Sequence, residues 1–164
     1  MKRILVFILL IAMTVCVYGC GNRGSEMIKP VNVYYCMETV DYSSALGAFA
    51  SMQIDMGDWD GRMLAFINFY ISAPVTDGLI SPFPTGAGIT SIEYLDNTLR
   101  VQLNPLFSRL SAGELTVACA CISLTLFELT NTNSVRFNLH GATDDAVAIM
   151  TRDNLIFKDE IAVN

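Results

Sequence analysis

The sequence predicts an α+β domain, a small mixed β-sheet with two helices packed on one face. Three observations predict it. Residues 89–94 and 98–103 alternate apolar and polar side chains on either side of Asp96-Asn97, the pattern of a tight hairpin. Residues 60–71 form an apolar run long enough for about three helical turns. That run stops at Ala73, which precedes Pro74 and is therefore pushed out of the α region. Residues 112–129 carry a helical apolar pattern behind Ser111 and Glu114, which have capping-box spacing.

The chain of 164 residues opens on a targeting segment, residues 1–19. Lys2 and Arg3 give it a basic start, and residues 4–17 are apolar but too short for a comfortable membrane span. Val17-Tyr18-Gly19-Cys20 resembles a bacterial lipobox, in which a small residue precedes an acylated cysteine. A lipoprotein signal with lipidation at Cys20 is expected; an ordinary secretory signal or an uncleaved anchor is the alternative. Residues 20–30 read as a tether and residues 31–164 as one domain of ordinary size. Removing Lys2 and Arg3 from the ten basic residues leaves eight against sixteen acidic ones, a formal −8. That balance argues against nucleic acid and against charge-driven binding of anionic lipid.

Within the domain, residues 31–36 alternate as a first strand, and residues 38–58 are weakly patterned. Residues 57–61 are turn-rich, and Asp58 or Asp60 is a candidate cap for the first helix. Trp59, the sole tryptophan, reads as a hydrophobic staple there in preference to a partner contact. Met63, Leu64, Ile67, Tyr70 and Ile71 fall on one stripe of that helix, with Phe66 and Phe69 off it. Residues 77–86, stiffened by Pro82 and Pro84, read from composition as a rigid, solvent-facing crossover. In the hairpin, Leu99, Val101 and Leu103 point to one face and Thr98, Arg100 and Gln102 to the other.

The second helix has two apolar stripes. Leu115, Ala118, Cys119, Ile122, Leu126 and Leu129 form the first; Val117, Ala120, Leu124 and Phe127 lie nearly opposite. Either the helix is wedged between the sheet and the first helix, or Val117, Leu124 and Phe127 form a protein interface. Residues 134–140 read as a further strand with Val135, Phe137 and Leu139 on one face. Residues 146–163 read as a terminal hairpin around Arg152-Asp153-Asn154.

A proline-ended apolar helix, then Gly78-Leu79-Ile80-Ser81-Pro82-Phe83-Pro84-Thr85-Gly86, then a hairpin ending in Val101-Gln102-Leu103, resembles the GerMN domain family of sporulation and germination lipoproteins. The family motif falls on Gly78, Leu79, Ile80, Ser81, Pro82, Pro84 and Gly86. The resemblance continues through residues 110–114, the second helix and residues 135–141, and spans roughly residues 31–141. It implies a strand at residues 48–56 and a helix-on-sheet fold like that of ring-building modules. It also implies a non-enzymatic, envelope-anchored module for protein association on the outer face of the cytoplasmic membrane, in sporulation or germination. Its partners would be other envelope proteins or a second copy, with the membrane reached through the lipid on Cys20. The competing reading is a module that binds peptidoglycan or another wall glycan, although Tyr34, Tyr35, Tyr42, Trp59 and Tyr70 form no obvious stacking row.

No constellation reads as catalytic. His140, the sole histidine, lies on the polar face of a strand. Ser81 lacks the Gly-x-Ser-x-Gly elbow and more plausibly caps a backbone group. Asp144-Asp145 and Asp159-Glu160 are neighbours that point apart in extended chain, and no calcium-loop pattern surrounds the first pair. Cys119 and Cys121 stand about 200° apart around a helix and cannot pair with each other. Buried free thiols are expected, with Cys36–Cys119 the minor alternative in an oxidising compartment. The cysteines lack zinc-site clustering, and no metal or cofactor is expected.

Overall fold

The computed structural model describes residues 30–39, 47–55, 57–59, 61–139 and 147–155. Its strands divide between two sheets. Strands β1 (Pro30–Met37), β2 (Phe49–Asp55) and β3 (Leu79–Ile80) form an antiparallel sheet in the order β2-β1-β3. Strands β4 (Ile89–Leu95), β5 (Thr98–Leu103), β6 (Ser134–Leu139) and β7 (Ala148–Thr151) form the second, in sequence order. In that mixed sheet β5 and β6 run parallel, while β4–β5 and β6–β7 are antiparallel. Helix α1 (Met63–Ser72) precedes β3, and helix α2 (Ala112–Leu129) makes the crossover from β5 to β6. The α+β class read from the sequence is the class observed.

The reason for two sheets lies in α2. All of residues 118–127 are buried, polar Ser123 and Thr125 included. A helix apolar on several sides needs cover on several sides, and one sheet covers only one. The helix packs against β1 of the first sheet, and against β6, β7 and a following 3-10 turn (Arg152–Leu155) of the second. Val31, Val33 and Tyr35 from β1, Leu99, Val101 and Leu103 from β5, and Val135 and Phe137 from β6 share one core with it.

Both ends of α2 are closed by side chains. The Ser111 backbone N–H donates to Glu114 Oε2 at 2.8 Å, and the Glu114 N–H donates to Ser111 Oγ at 3.4 Å, completing the capping box. At the other end Arg152 donates to the Phe127, Thr130 and Thr132 carbonyls at 2.8, 2.9 and 2.9 Å. Its guanidinium also lies 4.6 Å from the centre of the Phe127 ring. A cation supplying forked donors to a helix C-terminus answers carbonyls that have no partner within the helix.

Several expectations need correction. Leu124 and Phe127 are only 6% and 7% exposed, so most of the second apolar stripe is core and the chain itself covers it. Residues 148–151 pair with β6, with Met150 buried in the core and Arg152 tying the strand end to α2, a partner the sequence did not indicate. The rest of that span lies outside the described residues. Helix α1 starts at Met63, with Arg62 (φ −115, ψ 50) as an N-cap lacking a side-chain cap. Its buried face is Phe66, Ile67, Tyr70 and Ile71, while Leu64 faces out. Trp59 stacks on Phe69, ring centres 5.2 Å apart, under the Arg62 guanidinium, so it braces the helix flank instead of stapling its first turn. As expected, α1 ends with Ala73 extended at φ −67, ψ 144.

Ile122 is fully buried at the middle of α2. Ile122→Ala is expected to cost about 2–5 kcal/mol in denaturant unfolding, since truncation loses burial and leaves a cavity. An unmoved midpoint would contradict the packing described here.

Candidate functional site: a groove between the crossover and helix α2

The path from α1 to β4 is built by local hydrogen bonds before it presents any surface. Leu79 N–H donates to the Thr76 carbonyl at 3.1 Å across Gly78, whose φ of 85° suits glycine. The Gly78 carbonyl accepts from Glu38 N–H at 3.0 Å, and Leu79 and Ile80 pair with Met37 and Cys36. Ser81 Oγ then accepts from Phe83 N–H at 3.4 Å, the local capping role its position suggested. Phe83 is buried, its ring edge-on to Tyr70 at 5.3 Å and to Tyr35 at 6.4 Å. The crossover is therefore part strand and part core, where composition alone suggested a solvent-facing link. Its backbone needs a ladder partner, and Phe83 needs burial.

Two asparagines that sequence reading passed over hold the end of this path. Asn68, on α1, accepts from Ile89 N–H at 2.7 Å through Oδ1 and donates to the Ile89 carbonyl at 2.9 Å through Nδ2. Asn104 donates from Nδ2 to the Gly86 carbonyl at 3.0 Å, and its N–H donates to the Gly88 carbonyl at 2.9 Å. The approach is close: a Cβ on Gly88 would lie 2.9 Å from Asn68 Oδ1. Asn104 had a readable signal, since it precedes Pro105 and caps the 3-10 turn Pro105–Arg109. Asn68 sits within an apolar helix and gave none.

Together these elements frame a groove of about 540 Å³. One wall is Ile80, Ser81, Pro82, Phe83 and Pro84; the other is Leu110, Gly113, Glu114 and Val117 from the start of α2. Cys36 of β1 also lines it. Much of the family motif and Val117 thus meet at one place, while Leu124 and Phe127 do not join them. Ile80 is 49% exposed, so the groove offers apolar surface to solvent.

Behind the groove lies a buried polar network. Cys36 and Cys121 are neighbours across β1 and α2: Cys36 stands two residues beyond Tyr34, and Cys121 one turn before Thr125, whose hydroxyl Tyr34 N–H reaches. Tyr35 donates its hydroxyl to the Tyr70 carbonyl at 3.0 Å, and the Tyr70 hydroxyl donates to the Tyr34 carbonyl. Tyr34 N–H donates to Thr125 Oγ1 at 3.2 Å, and Thr125 Oγ1 donates to the Cys121 carbonyl at 3.0 Å. Burial pushes Tyr35 up to about 12 and Tyr70 well above the usual phenol range. Burial, then the Glu128 carboxylate that accepts its hydroxyl at 2.9 Å, raises Tyr34. All three phenols stay protonated donors at neutral pH. The neighbouring Cys121 thiol lowers Cys36 against the opposing effect of burial, while Cys121 is raised by Cys36 and by burial. Burial pushes Cys119 up to about 12.

The cysteine that meets Cys36 is therefore Cys121, not Cys119. The face of α2 turned to β1 carries Cys121, Thr125 and Glu128, and Cys119 lies about 200° from Cys121. Both remain free thiols. Glu114 is engaged by Ser111 through backbone and hydroxyl, which lowers its carboxyl. Among the described residues no three His, Cys, Asp or Glu side chains lie close enough to hold a metal ion. Cys20, Tyr42, Asp60, His140, Asp144, Asp145, Asp159 and Glu160 lie outside the described residues.

A family profile described as "Germane: Sporulation and spore germination" matches residues 52–145. The fold is similar to the tandem GerMN domains of the sporulation protein GerM from Bacillus subtilis, with TM-score 0.56 and 21% identity. That match covers 84% of this chain and 49% of the other, so the chain spans about half the length of the tandem. It is also similar to the first GerMN domain of that protein, with TM-score 0.53 and 10% identity, covering 76% of this chain and 98% of the other. No curated protein sequence matches the chain.

Asn68→Ala would leave the Ile89 N–H and carbonyl without their side-chain partner. A cost of about 1–3 kcal/mol is expected, read by urea unfolding. A stability equal to the parent's would show that water replaces the asparagine freely.

Proposed function

The chain belongs to the Germane family of sporulation and spore germination domains, and on that premise we propose that it is a non-enzymatic assembly module of the cell envelope, acting in sporulation or germination. A lipid on Cys20 would hold it at the outer face of the cytoplasmic membrane. Support for the anchor comes from the sequence: the apolar run stops at Gly19-Cys20 and polar tether residues follow. An acyl chain contributes about 0.8 kcal/mol per buried CH₂.

The observation that carries the assembly reading is the groove. The motif that resembles the family's is folded into a wall that leaves Ile80 49% exposed opposite Val117 and Leu110. Exposed aliphatic surface between a rigid loop and a helix start suits an apolar segment of another protein. The partner is another envelope protein or a second copy of this chain. Glu114, the groove's carboxylate, is committed to its helix cap, which favours binding over acid–base catalysis.

Cys20→Ala is expected to release the protein from membranes or leave its signal unprocessed. Fractionation with acyl labelling checks this, and an unchanged labelled product removes the anchor. Ile80→Glu combined with Val117→Glu is expected to leave a folded chain by circular dichroism and to abolish crosslinks to its partner in cells. Intact crosslinking by the folded variant would place the contact elsewhere, and capture by purified peptidoglycan instead would favour wall binding.

A further inference from the structure

The groove contains a chemical feature that an assembly surface does not require. Cys36 lines it, half-buried, together with Val117 of α2, and fully buried Cys121 stands one turn further along that helix, next to the Thr125 that Tyr34 N–H reaches. We propose that Cys36 and Cys121 are a dithiol–disulfide pair, with Cys36 receiving an accessible disulfide in the groove and Cys121 resolving the product.

The geometry assigns the roles. Cys36 is held from both sides, since it pairs with Phe49 of β2 and with Ile80 of β3. Its thiol is reachable from the groove, and Cys121 lowers its proton affinity. Cys121 is fully buried, and its chain neighbours Ala120 and Ile122 are buried too. The third thiol, Cys119, faces away from β1 and takes no part. The proposed bond brings the two sulfurs to a separation of about 2.05 Å.

The exchange balances without an outside electron carrier. The Cys36 thiolate attacks one sulfur of an incoming disulfide, forming a mixed disulfide and expelling the other half as a thiolate. Cys121 gives its proton to that leaving thiolate and attacks Cys36 Sγ, which expels the second half as a thiolate that takes up the proton Cys36 released on ionising. The protein loses two hydrogens, and one disulfide becomes two thiols. The donor is any accessible disulfide, whether a small molecule or a cystine of another protein. This inference does not depend on the assembly reading, and its test does not read association.

The full chain, titrated in oxidised and reduced glutathione, is expected to lose the mass of two hydrogens reversibly, with peptide mapping joining Cys36 to Cys121. The oxidised form is expected to melt higher than the reduced one, because the bond ties β1 to α2. In Cys121→Ser the glutathione adduct should accumulate on Cys36, and in Cys36→Ser neither adduct nor internal bond should form. Adducts recovered from cells expressing Cys121→Ser would distinguish a small thiol from a protein as the donor. A wild-type chain that stays dithiol in oxidised glutathione overturns the proposal without reliance on any variant. So does a bond mapping to Cys119, or a folded Cys121→Ser chain left unmodified at Cys36.

Discussion

A helix whose middle residues are apolar on several sides is soluble only if the rest of the chain wraps it. Residues 118–127 impose that condition, and the two sheets satisfy it from different directions. By length and composition α2 would also suit a bilayer, with a mean hydropathy of 1.5 over its 18 residues. Here β1, β6 and β7 supply the apolar surroundings that lipid would otherwise provide. The capping box at Ser111 and the Arg152 fork at the far end then satisfy the backbone groups that helix geometry leaves open. Once α2 is placed, the parallel pairing of β5 with β6 follows, because the helix is the connection between them.

The crossover shows the same logic on a smaller scale. A proline-rich link has few donors of its own, so its remaining polar groups are met by side chains from outside it. Asn68 and Asn104 act as splints, one from a helix and one from a strand end, and Gly88 leaves room for the first. Phe83 anchors the link against Tyr35 and Tyr70, which leaves Ile80 to face solvent. The same residues that make the link rigid thus shape one wall of the groove.

Much of this was legible in the sequence. The bounds of α2, its capping box, the hairpin at Asp96-Asn97 and the proline-ended α1 all rest on local signals, and all are present. What was hidden depends on which element covers which face. Periodicity showed that Leu124 and Phe127 share a stripe but could not show that the chain covers them itself. The division into two sheets, the pairing of β7 with β6 and the choice of Cys121 over Cys119 are long-range facts of the same kind. Asn68 was invisible because a polar residue in an apolar helix carries no mark of its partner. Of the groove, the sequence supplied the family motif and Val117 separately; their meeting needed the fold.

The position of β1 has a consequence for how the chain reaches its native state. Its nearest partner in sequence is β2, yet its hydrogen bonds to α2 span 91 positions to Thr125 and 94 to Glu128. A β1–β2 ribbon formed early would leave Val33 and Tyr35 facing water until the helices and the crossover complete the core. Closing so long a loop is entropically uphill before its contacts reward it, so high contact order, not local propensity, sets the pace of the first sheet. The second sheet can be initiated by the β4–β5 hairpin alone. The order of assembly is thereby biased toward the C-terminal half, with β1 among the last strands to lock.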